Sequence, residues 1–287
     1  MKMYFMNVDE VSPSCAKVLT EECLNHINRY PNIKNKQESL AAYLLLTYAI
    51  KDNYKDAVIP LDLDWTEEGK PYLQTFKRMP HPPENSDVKN NFKEKKQQGC
   101  ETPLDEEDII KKDKKGNSKE KSQIECEEFS SVECSEVEVD VKQLKLFFSI
   151  SHSDRFAVVC ISDKAIGVDI EKVRAMNPSL SRKLIHKNNK ESYENSDDKS
   201  KILLENWCLK EAYYKCSGKI KPASSTPLET YNIFKDIYVI DKHNYGLIKY
   251  FDEYCMALVT KDIVSIEKSA SFMVDKSKIE SLLKNDE

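Results

Sequence analysis

LKLFFSISHSDRFAVVCISDKAIGVDIEKV, Leu144 to Val173, is the stretch on which the reading of this chain turns. Three apolar runs, Leu144–Ile150, Phe156–Ile161 and Ile166–Ile170, are separated by polar residues, a pattern that predicts three successive strands. Ser151, His152 and Ser153 fall in the first of the turns. Residues i and i+2 of a strand share a face, so Asp169 and Glu171 point one way while Val168 and Ile170 point into a core. Neighbouring carboxylates repel and raise each other's pKa unless a cation lies between them. Oxygen-only ligands favour a hard ion, most simply Mg²⁺. The same pair also suits a solvated sheet face, and this strand by itself leaves both readings open.

Downstream, Lys201–Ser217 carries a strong helical pattern that Gly218 ends. Within it Trp207, Glu211 and Lys215 are spaced by four and share one stripe. A third carboxylate and a lysine on one stripe meet the needs of a Mg²⁺–phosphate site, with Lys215 neutralising phosphate oxygens. The stripe equally describes a surface Glu–Lys pair beside a core tryptophan. Flanked by serines, His152 is either an ordinary surface residue or a donor to phosphate.

Upstream, Lys2–Val8 reads as a strand, Ser12–Tyr30 as an amphipathic helix and Gln37–Lys51 as a buried helix. In WTEEGKPYL (Trp65–Leu73), Gly69 and Pro71 give turn chemistry. From about Thr75 to Val141 there is hardly an apolar residue to bury, and a lysine block precedes an acidic one. Such a segment cannot offset its ordering entropy, so an insertion over about 76–142 is expected to be disordered, with a strand at its acidic end. Beyond Lys219, Tyr231–Val239, Tyr245–Phe251 and Tyr254–Thr260 read as sheet. Helices mixed with short strands in both ordered parts favour an α+β class.

The bulk properties narrow the partners. The 287 residues carry a formal net charge of −5, no electrostatic match for nucleic acid. The longest apolar run, Leu40–Ile50, is too short to cross a bilayer, and the start lacks an apolar core of signal-peptide length. Nine scattered cysteines without a CxxC pair fit reduced thiols and a cytoplasmic setting.

Taken in order, FSISHS, IGVDIEK and WCLKEAYYK resemble the motifs of the Sfp-type 4′-phosphopantetheinyl transferases, roughly SxSHS, (I/V)GxDxE and (F/W)xxKE(A/S)xxK. KNKQESLAAYLLL, EEGKPYL and DEYCMALVT are similar to further family segments, so the resemblance covers most of the chain outside 76–142. It implies a pseudo-dimer of two similar α/β halves, 1–164 and 165–287, with coenzyme A in the cleft between them. The implied reaction moves the phosphopantetheine arm of coenzyme A onto a serine of an acyl, polyketide or peptidyl carrier protein, releasing adenosine 3′,5′-bisphosphate. By motif, Asp169, Glu171 and Glu211 would hold Mg²⁺ and Lys215 would contact the same phosphates. Lys36, Ser39, Lys70, Ser151 and His152 would hold the nucleotide. The base would be Glu211 acting through a water, or Glu191 in LIHKNNKES; the motif includes Lys210 without assigning it a role. A monomer without nucleic-acid or membrane partners is expected. The alternatives are a catalytically silent coenzyme A-binding scaffold using 76–142 as an interaction arm, and a metal-dependent phosphodiesterase.

Overall fold

The computed structural model describes residues 1–67, 69–79, 137–139, 144–218, 227–234 and 236–283. The chain divides into two compact units, one of Met1–Met79 with Glu136–Glu287 and one of Pro80–Ser135. The second unit, and with it most of the expected insertion, lies outside the described residues. What is described at its borders is a short antiparallel pair, β4 (Phe76–Arg78) with β5 (Val137–Val139). The expected strand at the acidic end is therefore present. Order runs further than the composition suggests, because Phe76 is buried in the core.

Two sheets carry the fold. The first has the order β13 (Ala270–Met273), β1 (Lys2–Asn7), β7 (Phe156–Ser162), β6 (Phe147–Ser153). In it β13 runs parallel to β1, and the other pairings are antiparallel. The second is antiparallel throughout, with the order β8 (Ile166–Lys172), β12 (Tyr254–Thr260), β11 (Asn244–Phe251), β10 (Ile237–Asp241), β9 (Tyr231–Phe234). A small hairpin of β2 (Leu63–Trp65) and β3 (Pro71–Leu73) turns at Gly69, whose φ of +81° suits glycine.

Among the described residues each of these sheets has one long helix on its outer face. Helix α2 (Ile33–Asn53) begins where the Asn32 side chain accepts the Asn35 N–H, and it buries Ala41, Ala42 and Leu44–Leu46 against the first sheet. The helix expected over Lys201–Ser217 is α5 (Lys199–Ser217), capped by Asp198 and closed by Gly218 at φ +64°. It packs Cys208, Ala212 and Cys216 on Cys255, Ala257 and Val259 of β12. The inner faces of the sheets share a core in which Met3, Phe156, Val158 and Cys160 meet Val168, Ile170, Met256 and Leu258. The class is α+β, as expected.

Two expectations need correction. The amphipathic helix expected over Ser12–Tyr30 is two pieces, a 3₁₀ segment Pro13–Val18 and α1 (Glu21–Asn28). Leu19 is extended between them, and Thr20 starts α1 by accepting the Cys23 N–H, a cap that outweighs the continuous apolar pattern. The second correction concerns SISHS. Ser151, His152 and Ser153 lie within β6, not in a turn; the turn is Asp154–Arg155, with Asp154 at φ +55°. Between β8 and α5 lie two short helices, α3 (Ser181–Leu184) and α4 (Lys190–Glu194).

The sheets also meet along two of their edges. Among the described residues, strands β6 and β8 have a backbone partner on one side only. On the other side, Ser149, Ser151 and Ser153 Oγ of β6 accept the N–H groups of Val168 (3.0 Å), Ile170 (3.3 Å) and Lys172 (3.1 Å) of β8. Alternate hydroxyls thus stand in for the missing strand ladder. Among the described residues no helix is long and apolar enough to cross a membrane.

Candidate active site

Helix α5 crosses β8 at Gly167. A Cβ built there would stand 1.9 Å from the Ala212 carbonyl oxygen and 2.6 Å from the Cys216 nitrogen. Only glycine permits this approach, and it brings the Trp207–Glu211–Lys215 stripe down on the acids two and four residues further along β8. The Trp207 indole N–H donates to Glu171 Oε1 at 3.2 Å. Lys215 Nζ donates to Asp169 Oδ1 and to the Val168 carbonyl, both at 2.9 Å. Half-buried Glu211 stands on the helix between them, one turn from each.

The carboxylates lie on a guarded face. Asp169 is 6% exposed, and its Oδ2 is buried without a hydrogen-bond partner. Burial, and then the charge of Asp169, push the Glu171 carboxyl above its ordinary range. Serines of β6 donate to both acids: Ser151 Oγ to Asp169 Oδ1 at 2.9 Å, and Ser153 Oγ to Glu171 Oε2 at 3.4 Å. Arg174 approaches Glu171 Oε2 at 3.7 Å. Among the described residues no group of three His, Cys, Asp or Glu side chains is arranged to hold a metal ion. What the structure brings together is an oxygen-rich pair with one buried, unpartnered oxygen and a lysine on its other side.

The remaining predicted residues distribute unevenly around this centre. His152, next to Ser151 in a strand, leaves the opposite face and pairs its Nδ1 with Glu38 Oε2 of α2 at 3.0 Å. Ser39 is buried beside Glu38, and Lys36 is half-buried on the same first turns of α2. Lys34 bonds Asp154, which also accepts from Lys172 at 2.8 Å and Tyr254 at 3.2 Å. Lys172 and Lys34 hold the Asp154 carboxyl far below the usual carboxylate range. Lys70 of the hairpin donates its Nζ to the Lys215 backbone carbonyl at 2.7 Å, near the end of α5. Burial lowers the Lys70 amine below the ordinary lysine range. Lys210 is buried, with Nζ donating to the Lys183 carbonyl at 2.7 Å. Glu191 is exposed on α4, and its side chain enters none of the bonds described above.

Strand acids, serine edge and helix stripe converge from segments far apart in the chain, and comparison with known proteins identifies the segment at their centre. Residues 165–255 match the 4′-phosphopantetheinyl transferase superfamily. The matched segment holds β8 and the whole of α5, and so both acids, Glu211 and Lys215. Curated proteins named 4′-phosphopantetheinyl transferases are similar to parts of this chain. "4′-phosphopantetheinyl transferase gsp" of Aneurinibacillus migulanus is 32% identical over 76 residues, covering 26% of this chain and 32% of that protein. "4′-phosphopantetheinyl transferase Sfp" of Bacillus subtilis (strain 168) is 26% identical over 88 residues, covering 30% and 38%. A "4′-phosphopantetheinyl transferase" of Bacillus subtilis is 27% identical over 124 residues, covering 39% and 54%. The chain therefore spans about a third to about half the length of these relatives.

The motifs contain several residues at this centre whose tasks they do not reveal. Trp207 is a hydrogen-bond donor to an acid as well as a packed aromatic, and Gly167 sets the depth of α5. Ser149 and Ser153 work at the joint between β6 and β8. One signal was available: SxSxS and GxDxE share a spacing of two, so paired strands would place their members opposite one another.

Proposed function

We propose that the protein transfers the 4′-phosphopantetheine arm of coenzyme A to a serine hydroxyl of a carrier protein, with Mg²⁺, releasing adenosine 3′,5′-bisphosphate. The observation that carries this reading is Asp169: Lys215 and Ser151 take Oδ1, while Oδ2 is buried and unpartnered beside Glu171. An oxygen-only donor set with an orphaned carboxylate oxygen fits a hard divalent cation. Asp169, Glu171 and Glu211 would hold the ion. Bound there, Mg²⁺ would supply Lewis-acid stabilisation of the charge that builds on the pyrophosphate oxygens.

The chain's own residues would do the rest. Lys215, held within reach of the acids, would be shared with phosphate oxygens as a fixed positive charge. Lys70, His152, Ser151, Lys36 and Ser39 would bind and orient the nucleotide. The carrier serine oxygen would form a bond to the β-phosphorus as the bond to the adenosine bisphosphate oxygen breaks. Its proton would pass to a base. Glu211, acting through a water, is the favoured base because it stands on the stripe between Trp207 and Lys215; exposed Glu191 is the other candidate. One sheet with one long helix in each half, α2 on the first and α5 on the second, supports a pseudo-dimer of halves 1–164 and 165–287, with β13 of the second half added to the first sheet. A cytoplasmic monomer completes the reading.

The test is transfer from labelled coenzyme A and Mg²⁺ to a panel of apo-carriers, with mass spectrometry reading the added arm. Wild type should modify at least one carrier, and Asp169→Ala should lower the rate by about 100-fold or more. Coenzyme A binding with no transfer to any carrier would overturn the enzyme reading in favour of a silent binding scaffold.

A further inference from the structure

We propose that Ser151 and Ser153 are positioning residues for Asp169 and Glu171, and that Ser151 fixes which oxygen of Asp169 is left for a cation. This rests on the metal assignment of the proposed function. It goes beyond it by giving the serines of β6 a task toward the acids, separate from the nucleotide contact proposed for Ser151.

The register is the first argument. Along the joint, each serine accepts the N–H of one β8 residue and faces the side chain of the residue before it. Ser151 accepts from Ile170 and donates to Asp169; Ser153 accepts from Lys172 and donates to Glu171. Ser149 accepts from Val168, and the residue before that is Gly167, which has no side chain to receive its proton. Three equivalent hydroxyls thus divide into two that hold an acid and one that only joins the strands.

Proton bookkeeping is the second. A serine hydroxyl has one proton to give. With the Ile170 N–H occupying a lone pair of Ser151 Oγ, that proton is directed to Asp169 Oδ1. Lys215 Nζ approaches the same oxygen. Oδ1 is therefore saturated while Oδ2 stays free, and the carboxylate meets an ion through Oδ2 alone. Ser151 is 8% exposed and Asp169 6%, so bulk water is poorly placed to replace the hydroxyl. Without it the carboxylate can turn and spend Oδ2 on Lys215.

The experiment titrates Mn²⁺ into the coenzyme A complex without carrier, read by electron paramagnetic resonance, with coenzyme A affinity measured in parallel. Ser151→Ala should weaken Mn²⁺ binding by about 10- to 100-fold, the range for residues that orient metal ligands. Ser151→Thr, which keeps the hydroxyl, should rescue it. Ser149→Ala, which removes only a joint bond, should bind Mn²⁺ as wild type does while still losing thermal stability, so folding loss is separated from positioning. Equal weakening by Ser149→Ala, or Ser151→Ala weakening coenzyme A alone, would overturn the proposal. Asp169→Ala separates the two levels. If it loses Mn²⁺ while Ser151→Ala does not, only the serine's role fails. If neither loses it, or the wild-type complex binds none, the metal assignment fails as well.

Discussion

Gly167 occupies a position where the backbone of α5, and not a movable side chain, fills the space a Cβ would need. Gly167→Ala is expected to push the helix off β8 and to cost at least the ~1–3 kcal/mol typical of overpacking, measured by urea denaturation. The displacement would also draw Lys215 and Trp207 away from the acids, so transfer should fall with stability. Trp207→Phe is milder. It keeps the ring packing and removes the N–H to Glu171, at about 1 kcal/mol of stability in the same assay. The acids and the helix stripe were legible because spacing alone places them: i, i+2 on a strand and i, i+4 on a helix. The orientation of SISHS was not, because polar residues read as a turn. Nothing local to the segment reveals that its hydroxyls accept N–H groups from the edge of another strand. Alternation then separates Ser151 from His152, which the motif presents side by side.

Elements are tied together by polar contacts that apolar periodicity does not show. At the end of α2, Asp52 accepts from Tyr4 at 2.7 Å and Lys2 at 3.3 Å of β1, and from its neighbour Lys55 at 3.0 Å. Burial alone would raise the Asp52 carboxyl, but the Tyr4 and lysine contacts outweigh it and bring it down to about 2. A carboxyl lowered on folding adds stability above its unfolded pKa, and that contribution fades as pH falls through the folded value. Asp52→Asn should therefore melt lower than wild type at neutral pH. The difference should shrink between about pH 4 and about pH 2 in thermal melts across that window. Element boundaries failed where caps decide them. Thr20 and Asn32 each start a helix by accepting an N–H three residues on, and a hydrophobic pattern carries no information about that hydrogen bond.

At the scale of the molecule, the chain's last described segments return to its first. Strand β13 pairs with β1, and Val274, Ile279 and Leu282 beyond it are buried in the core under α2. Removing everything after Asp262 should withdraw roughly 5 kcal/mol of apolar burial, on the order of a domain's whole stability. Circular dichroism of the 1–262 fragment should show a chain without a cooperative melt. This closure was invisible in the sequence, because ASFM and its flanks are too short and polar to read as a strand, and a parallel pairing with residue 2 has no local signature.

The hydroxyl joint has a last consequence, for how these molecules behave in a crowd. An open strand edge invites pairing with another chain, and β6 and β8 would each offer one. The serines occupy the amides of β8 that a foreign strand would need, so adhesion there requires breaking the joint first. Among the described residues the free edge of the first sheet is then β13, where Phe272 and Met273 are exposed. Self-association, where it arises from this sheet, is steered to the side away from the acids.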